Sequence, residues 1–400
     1  MPRSDDYDII VIGAGIQGAG VAQAAALCGY RTLVIEKLPH AGMGTSCKSS
    51  KLIHGGLRYL ESGQFKLVKE CLDERKRLLN NAPELVKLIP FYIPVYKHST
   101  RPGWLIWLGL IIYSIFSLKS FKRIKKRHWH NLDDIQQDDL THVFKYYDAQ
   151  TDDLKLTQSV IRSAEKYGAS VIYNAEFTGS QYTDNTHKLT YLAAGIRHTV
   201  KTKVLINCAG PWVSTVQKNI SPLLTLPDIE LVAGSHIIIN APVKQGVYYL
   251  EASDKRAVFV MPWGSQHTLI GTTEKSDKQD PDNIHATDEE VQYLLDTYNH
   301  YFHTQISHEN ITDKFSGLRV LPGNNKSIKN HSDENSSAFN KPRDSLIVSS
   351  PEQPGLITLV GGKLTVYRAS AEQVINKVKK LIPPPKKHKH CSTRNIKLES

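Results

Sequence analysis

The sequence predicts an α/β unit with parallel strands joined to an α+β part built on antiparallel strands. Two observations predict it. A β-branched run, Asp8-Ile9-Ile10-Val11-Ile12, leads through a glycine-rich turn into the Ala-rich stretch Ala19 to Cys28, and then to a second apolar run, Arg31 to Ile35. Between about 230 and 273, short β-rich runs (His236 to Asn240, Val258 to Met261, Thr268 to Thr272) alternate with turns. With 400 residues, 40% of them hydrophobic and 22% charged, the chain has globular proportions and length for two to three domains, which excludes a disordered or collagenous protein.

Each element has its own signal. The first run is short and continuous, as in fully buried parallel strands. The Ala-rich helix ends at Gly29, in the position where glycine terminates helices. The second run ends at Glu36, and Ala41 to Lys51 is a polar loop. A charged amphipathic helix is expected from about Phe65 to Asn80, and Thr157 to Gly168 also reads as a helix. Val171–Tyr173, Lys203–Asn207 and Ile347–Val360 read as later strands. Residues 323–345 are polar and read as an exposed loop, and the tail after Lys379, with Pro383-Pro384-Pro385 and the basic run 386–390, reads as loosely ordered. The polar start, Met1 to Asp8, carries no secretion signal.

Five scattered cysteines (Cys28, Cys47, Cys71, Cys208, Cys391), none at CxxC spacing, argue against a disulfide scaffold and against a zinc site, and suit a reducing compartment. A net charge of +11 favours an anionic partner: nucleic acid, anionic membrane or a phosphorylated small molecule. No nucleic-acid module is present, and aromatics are not interleaved with the C-terminal basic run, so nucleic acid is not expected.

The turn Gly13-Ala14-Gly15-Ile16-Gln17-Gly18 is built for phosphate. Gly13 permits the tight bend, Gly15 removes a side chain from the path of a pyrophosphate, and Gly18 lets helix and strand pack closely; the helix N-terminus then offers unpaired N–H groups. Glu36 suits ribose hydroxyls and repels a 2′-phosphate, which disfavours NADP. Strand, turn, helix, second strand and acid stand in register, which lifts the motif above a bare glycine pattern. The motif alone leaves FAD and NAD open. Gly55-Gly56 and Gly361-Gly362 are two stretches where backbone could lie against a flavin ring.

The run Ser49-Ser50-Lys51-Leu52-Ile53-His54-Gly55-Gly56-Leu57-Arg58-Tyr59-Leu60 closely resembles the signature of FAD-dependent glycerol-3-phosphate dehydrogenases, members of the D-amino-acid-oxidase-like flavoprotein superfamily. Gly210-Pro211-Trp212, Gly234-Ser235-His236, Phe259–Trp263, Gly271-Thr272-Thr273, Ser316–Arg319 and Gly361–Arg368 resemble further blocks of that family in its order, over roughly residues 6 to 378. The resemblance implies a glutathione-reductase-type FAD-binding domain (1–95, 148–215 and 345–380), a substrate domain (96–147 and 216–344) and a flexible basic tail (381–400). It implies oxidation of sn-glycerol 3-phosphate to dihydroxyacetone phosphate, with hydride passed to flavin N5 and electrons to a membrane quinone. By motif, Gly13, Gly15, Gly18 and Glu36 would hold the ADP half of FAD. Thr45, Ser46, Ser50, Lys51, Leu52, Gly55 and Gly56 would lie near pyrophosphate and flavin. Ala209 and Gly210 would flank the cofactor, and Gly361, Gly362, Leu364 and Thr365 would pass the ring. The substrate pocket maps to His54, Arg58, Tyr59, His236, Thr272, Arg319 and Lys363.

That chemistry needs such residues. Arg and Lys anchor a phosphate dianion, as fork and point charge, and stabilise a developing alkoxide. A histidine suits the alcohol proton, so His236 or His54 is the base, with Arg319 beside it. Tyr59 and Thr272 also have ordinary structural uses, in packing and in a β-turn.

Residues 104–118 are the most apolar stretch and precede six Lys/Arg and two His within 119–130. As a helix the stretch spans about 22 Å, short of a hydrocarbon core of roughly 30 Å. Two readings follow: a buried helix of the substrate domain, or a monotopic insertion in which Trp104, Trp107 and the cluster from Lys119 to Arg127 face an anionic membrane. The second places the protein peripherally on the cytoplasmic face of the cytoplasmic membrane, and the resemblance leaves room for a homodimer. Two departures from the family pattern stand out. Its further helical domain after the flavin domain is not expected within this chain, and Leu318-Arg319-Val320-Leu321 stands where the family has Val-Arg-Pro-Leu. The alternatives are an oxidase that uses O2, a related amine or hydroxy-acid oxidoreductase, and a flavin-binding membrane protein without turnover.

Overall fold

The computed structural model describes residues 6–277, 280–323, 345–385 and 391–399. The polar stretch expected at 323–345 and the basic run 386–390 lie almost wholly outside them.

Two sheets carry the fold. The first has β1 (Asp6–Ile12) near its centre, paired in parallel with β2 (Thr32–Ile35) on one side and with the strand Ile196–Asn207 on the other. Ile9, Ile10 and Val11 have no exposed surface, which is why a β-branched run without polar alternation works here. Antiparallel strands Ala175–Thr183 and Thr186–Ala193 extend this sheet, and Gln353–Val360 returns late in the chain to pair in parallel with Ile196–Asn207.

Helix α1 (Ile16–Leu27) follows β1 and is buried on nearly all sides, between two later helices, so small side chains suit it. A Cβ on Gly20 would stand 2.7 Å from the Tyr367 ring, so that contact requires glycine. Helices α2 (Phe65–Asn81) and α3 (Gly103–Ser117) follow.

The second sheet is mostly antiparallel and holds β3 (Leu52–Ile53), β4 (Val86–Tyr96), the strand Leu140–Thr151 and the strands between Ile229 and Pro322. β4 pairs along its whole length with Leu140–Thr151. The first segment expected for the nucleotide-binding unit, 1–95, therefore ends inside a strand of the other sheet. Apolar patterning marks β4 as a strand but not which sheet it joins. Helices α4 (Asp153–Lys166), α5 (Val213–Lys218), α6 (Asp288–Tyr301) and α7 (Tyr367–Leu381) complete the set, with α4 and α7 against α1.

Three expectations are corrected. Helix α3 is not a core helix: only Leu110 and Tyr113 are buried, and Trp104 is 68% and Ile115 66% exposed. His236 lies inside the strand Ile229–Ile239, which starts seven residues before the expected start. The end of the chain is docked rather than loose. Cys391 is disulfide-bonded to Cys28, Leu398 is buried and donates its N–H to the Asn81 carbonyl, and the Glu399 carbonyl accepts from Ser159 Oγ. The bridge spans 363 residues, so no local spacing announces it.

Candidate active site

Where β1 ends, Gly13 takes a φ of 96°, and a Cβ there would stand 2.8 Å from the Cys208 carbonyl oxygen. Gly18 is a packing residue: its Cβ would lie 1.9 Å from the Gly13 oxygen. Gly15 is different. Its nearest neighbour would be Ser46 Oγ at 3.2 Å, and it faces an elongated cavity. Ser46 Oγ accepts the N–H of Ile16, the first residue of α1, at 2.9 Å. Glu36 is buried, and its two oxygens accept from Ala14 N at 2.5 Å and Leu38 N at 2.9 Å. Burial pushes its carboxyl above the usual range, against those backbone donors. Gly13, Gly15, Glu36, Thr45, Ser46, Ala209 and Gly210 all line this cavity. Trp212 and Asp282 also line it, with Lys37 Nζ 3.8 Å from the Trp212 ring and 2.6 Å from Asp282.

Thr45 and Ser46 also line a second cavity, so the two spaces adjoin. The second is bordered by Ser50, Leu52, His54, Gly56, Arg58 and Tyr59 from one segment, His236, Thr272 and Arg319 from the second sheet, and Gly362 to Thr365 from the late return of the chain. Lys363 Nζ sits 4.4 Å from the Tyr59 ring centroid. Arg319 Nη2 donates to the Thr273 carbonyl at 3.4 Å. Gly234 makes room for this group: a Cβ there would meet Thr272 Oγ1 at 2.6 Å and Arg319 Nη2 at 2.8 Å.

His236 is flanked in register by Gly271 and Phe315, and stacks on the Phe315 ring at 4.9 Å. Its Nε2 is 3.0 Å from Ser50 Oγ, while Nδ1 is buried with no hydrogen-bond partner among the described residues. Burial, with Arg319 and Lys51 nearby, brings its pKa down to about 3. The ring is therefore neutral at ordinary pH.

Some expected residues stand apart from the cavities. Lys51 is buried, with Nζ 2.6 Å from Asp153 Oδ1 and 2.6 Å from the Cys47 carbonyl. Asp153 also accepts from Ser49 N and Oγ, so Lys51 locks the base of the loop and borders neither cavity. Gly55 packs between Leu72 and the Tyr113 hydroxyl, and Gly18 supports the turn from behind. Gly361, with φ 71°, turns the chain ahead of the lining residues Gly362 to Thr365.

Sequence reasoning missed Lys48, Tyr249, Arg256, Phe259 and Glu274, which also line the second cavity. Arg256 is fixed by Asp254, 2.6 Å from its Nε. Strand alternation from Ala257 could have flagged Phe259, but nothing local marks Arg256.

The residues fit FAD. The first cavity has a glycine-lined path at the N-terminus of α1, with no acidic residue in the first helical turn to oppose a pyrophosphate, and a buried acid at its far end. The second continues past Leu52 and Gly56 to Gly362–Thr365, where the glycines Gly56 and Gly362 leave backbone bordering the space.

Residues 8–368 match the family model described as FAD dependent oxidoreductase. The D-erythritol 1-phosphate dehydrogenase of Brucella abortus is 32% identical over 394 residues, 96% of this chain and 76% of that protein. The aerobic glycerol-3-phosphate dehydrogenase of Escherichia coli is 33% identical over 376 residues, 93% of this chain and 73% of that one. In fold, the chain resembles the FAD-complexed glycerol-3-phosphate dehydrogenase of Bacillus halodurans, with a TM-score of 0.76 at 24% identity, over 99% of this chain and 68% of that one. The chain belongs to the FAD dependent oxidoreductase family, with the glycerol-3-phosphate dehydrogenases among its relatives, and FAD is its cofactor.

Proposed function

We propose that this protein oxidises sn-glycerol 3-phosphate to dihydroxyacetone phosphate and passes the electrons to a membrane quinone. The observation that carries the reading is one cavity, bordering the dinucleotide groove, that gathers Arg58, Arg319 and Lys363 with two histidines. Cations gathered in one pocket, which Lys48 and Arg256 also line against a single acid, Glu274, suit a phosphate dianion better than an amine. Relatives named for glycerol 3-phosphate and for D-erythritol 1-phosphate support a polyol phosphate.

Gly13, Gly15, Glu36, Thr45, Ser46, Ala209 and Gly210 would hold the dinucleotide half of FAD, and Ser50, Leu52, Gly56, Gly362, Leu364 and Thr365 its ring half. When bound, FAD supplies a two-electron acceptor for oxidation of the carbinol carbon. Arg319 and Lys363 anchor the phosphate, with Arg58 and Tyr59 beside it and Thr272 at the rim. Their charge, fixed before substrate arrives, lowers the cost of the alkoxide that forms as the hydroxyl proton leaves. A histidine held near pKa 3 is a weak proton acceptor at neutral pH. We therefore assign the proton to a ring nitrogen of His54, which is half-buried and borders the cavity beside Phe259. His236 stays neutral and keeps Ser50 in place.

Peripheral membrane attachment, on the cytoplasmic face, belongs to the same reading. No described helix is long and apolar enough to cross a membrane. Helix α3 instead presents Trp104, Trp107, Leu108 and Ile115 outward, next to the cations of 119–127. Each basic residue near an anionic surface adds about 1 kcal/mol. Flotation with anionic liposomes checks this: charge reversal at Lys122–Arg127 with Trp104→Ser and Trp107→Ser abolishes binding, and unchanged binding refutes it.

Steady-state turnover with three compounds tests the function. Glycerol 3-phosphate is oxidised with a quinone analogue, D-erythritol 1-phosphate more slowly, and glycerol not at all. Fast peroxide release in air without need of quinone identifies an oxidase instead. Failure of the FAD-loaded protein to oxidise either phosphate defeats the proposal.

A further inference from the structure

The chain leaves the second sheet at His54. β3 pairs with Leu140–Thr151 through Leu52 with Gln150 and Ile53 with Ala149. Asp148 would therefore face His54 if the ladder continued, but it stops there. Gly55 instead donates its N–H to the Tyr113 hydroxyl at 2.9 Å, with the Asp148 carboxylate as a second acceptor for the same N–H, and that hydroxyl donates to Asp148 Oδ2 at 2.6 Å. The other Asp148 oxygen is held by Arg75 Nη1 of α2, which also donates to the Tyr147 carbonyl at 3.0 Å. Arg75, Tyr113 and Asp148 are each at most 3% exposed, so the network lies away from bulk solvent.

The arrangement is directional. A carboxylate paired with Arg75 only accepts, so the Tyr113 hydroxyl gives its proton to Asp148 and turns a lone pair toward Gly55. The fit is also steric: a Cβ on Gly55 would lie 2.6 Å from the Tyr113 hydroxyl. Directly after it, Gly56 takes a φ of 72° and Leu57–Leu60 form a short 3-10 turn. One anchored peptide thus sets where His54, Arg58 and Tyr59 stand. Tyr113 itself comes from α3 and lies outside the residues that border the cavity.

We propose that Tyr113, backed by Asp148 and Arg75, is a positioning residue for the substrate half of the site. Its hydroxyl replaces the missing strand partner of Gly55 and orients the His54–Tyr59 segment from behind. The role in turnover rests on the function proposed above; the role in ordering the segment does not. Loss of the hydroxyl loosens the segment in the free enzyme, and substrate must re-order it on binding. The cost therefore falls on KM, while kcat is nearly kept.

The test is Tyr113→Phe in the full chain loaded with FAD. Amide hydrogen exchange across residues 54–60 becomes roughly five- to tenfold faster, as expected for one lost hydrogen bond, with β1 and α1 unchanged. FAD affinity stays within twofold of wild type, and KM for glycerol 3-phosphate rises roughly five- to tenfold with kcat little altered. Unchanged exchange at 54–60 overturns the inference, and so does an equal loss of protection throughout both sheets, which would make Tyr113 a general stabiliser. Exchange is read without substrate, so failure of the wild type to oxidise glycerol 3-phosphate counts against the proposed function alone.

Discussion

The Lys363 ammonium lies over the Tyr59 ring, 4.4 Å from its centroid, and joins an early and a late segment of the chain above one cavity. The contact holds a cation on the lining of the second cavity. Arg319 reaches the same space from the second sheet and is steadied by the Thr273 carbonyl.

Separate removal of these charges should cost substrate and spare cofactor. Each hydrogen bond to a charged group is worth about 1.5–3 kcal/mol. Arg319→Ala and Lys363→Ala therefore each lower kcat/KM for glycerol 3-phosphate by roughly 10- to 100-fold, with FAD content near one per chain. Near-normal kcat/KM in both variants would remove them from the pocket.

The three turn glycines have unequal roles, and substitution separates them. Gly18→Ala drives a Cβ into the Gly13 carbonyl, so the expected outcome is misfolding or a fall of many degrees in the melting temperature. Gly15→Ala meets only Ser46 Oγ at 3.2 Å in the protein, so it folds but binds FAD more weakly. Flavin fluorescence on titration with FAD reads the second effect, and melting of the apoprotein reads the first. Equal melting temperatures for the two variants would contradict this division.

Acid should destabilise the fold through two buried imidazoles. Burial brings His187, fully buried beside Ser180 Oγ at 3.2 Å, down to about 4, and His236 down to about 3. An unfolded histidine titrates near 6.5, so the unfolded chain binds protons first as pH falls. Stability from keeping these rings neutral is full above that pH and is lost as pH falls toward 4 and 3. Urea midpoints measured from pH 7 to pH 4.5 should fall, and His187→Gln should flatten the slope. An unchanged slope in that variant would shift the effect to other groups.

The disulfide offers a stability test independent of the active site. Cys28 caps the end of α1, and its bridge fastens the segment that carries Thr393 and Leu398 onto α1 and α2. Native disulfides typically contribute about 2–4 kcal/mol. Cys391→Ser should lower the melting temperature by several degrees, and reductant should lower the wild type alike but leave the variant unmoved. A reductant effect of equal size in both would assign it elsewhere.

The sequence carried the local parts of this account well. A continuous β-branched run, a glycine turn and an acid at position 36 could pack only one way, and the charged period of Phe65–Asn81 marked a helix to within one residue. What it hid depends on long-range pairing. Nothing near Val86 tells which sheet it joins, nothing near Cys28 points to Cys391, and Lys51 stands in a flavin-like motif yet pairs with Asp153. Apolar density in 104–118 suggested both burial and exposure, and only the turn of the helix places Leu110 and Tyr113 inward and Trp104 outward.

An anaerobic titration of the flavin-loaded protein with sn-glycerol 3-phosphate tests most directly whether one cavity joins a polyol phosphate to FAD. Stoichiometric loss of the flavin absorbance near 450 nm, restored by a quinone analogue, is the expected result. A spectrum that does not bleach with substrate, from protein that bleaches fully with dithionite, would contradict it.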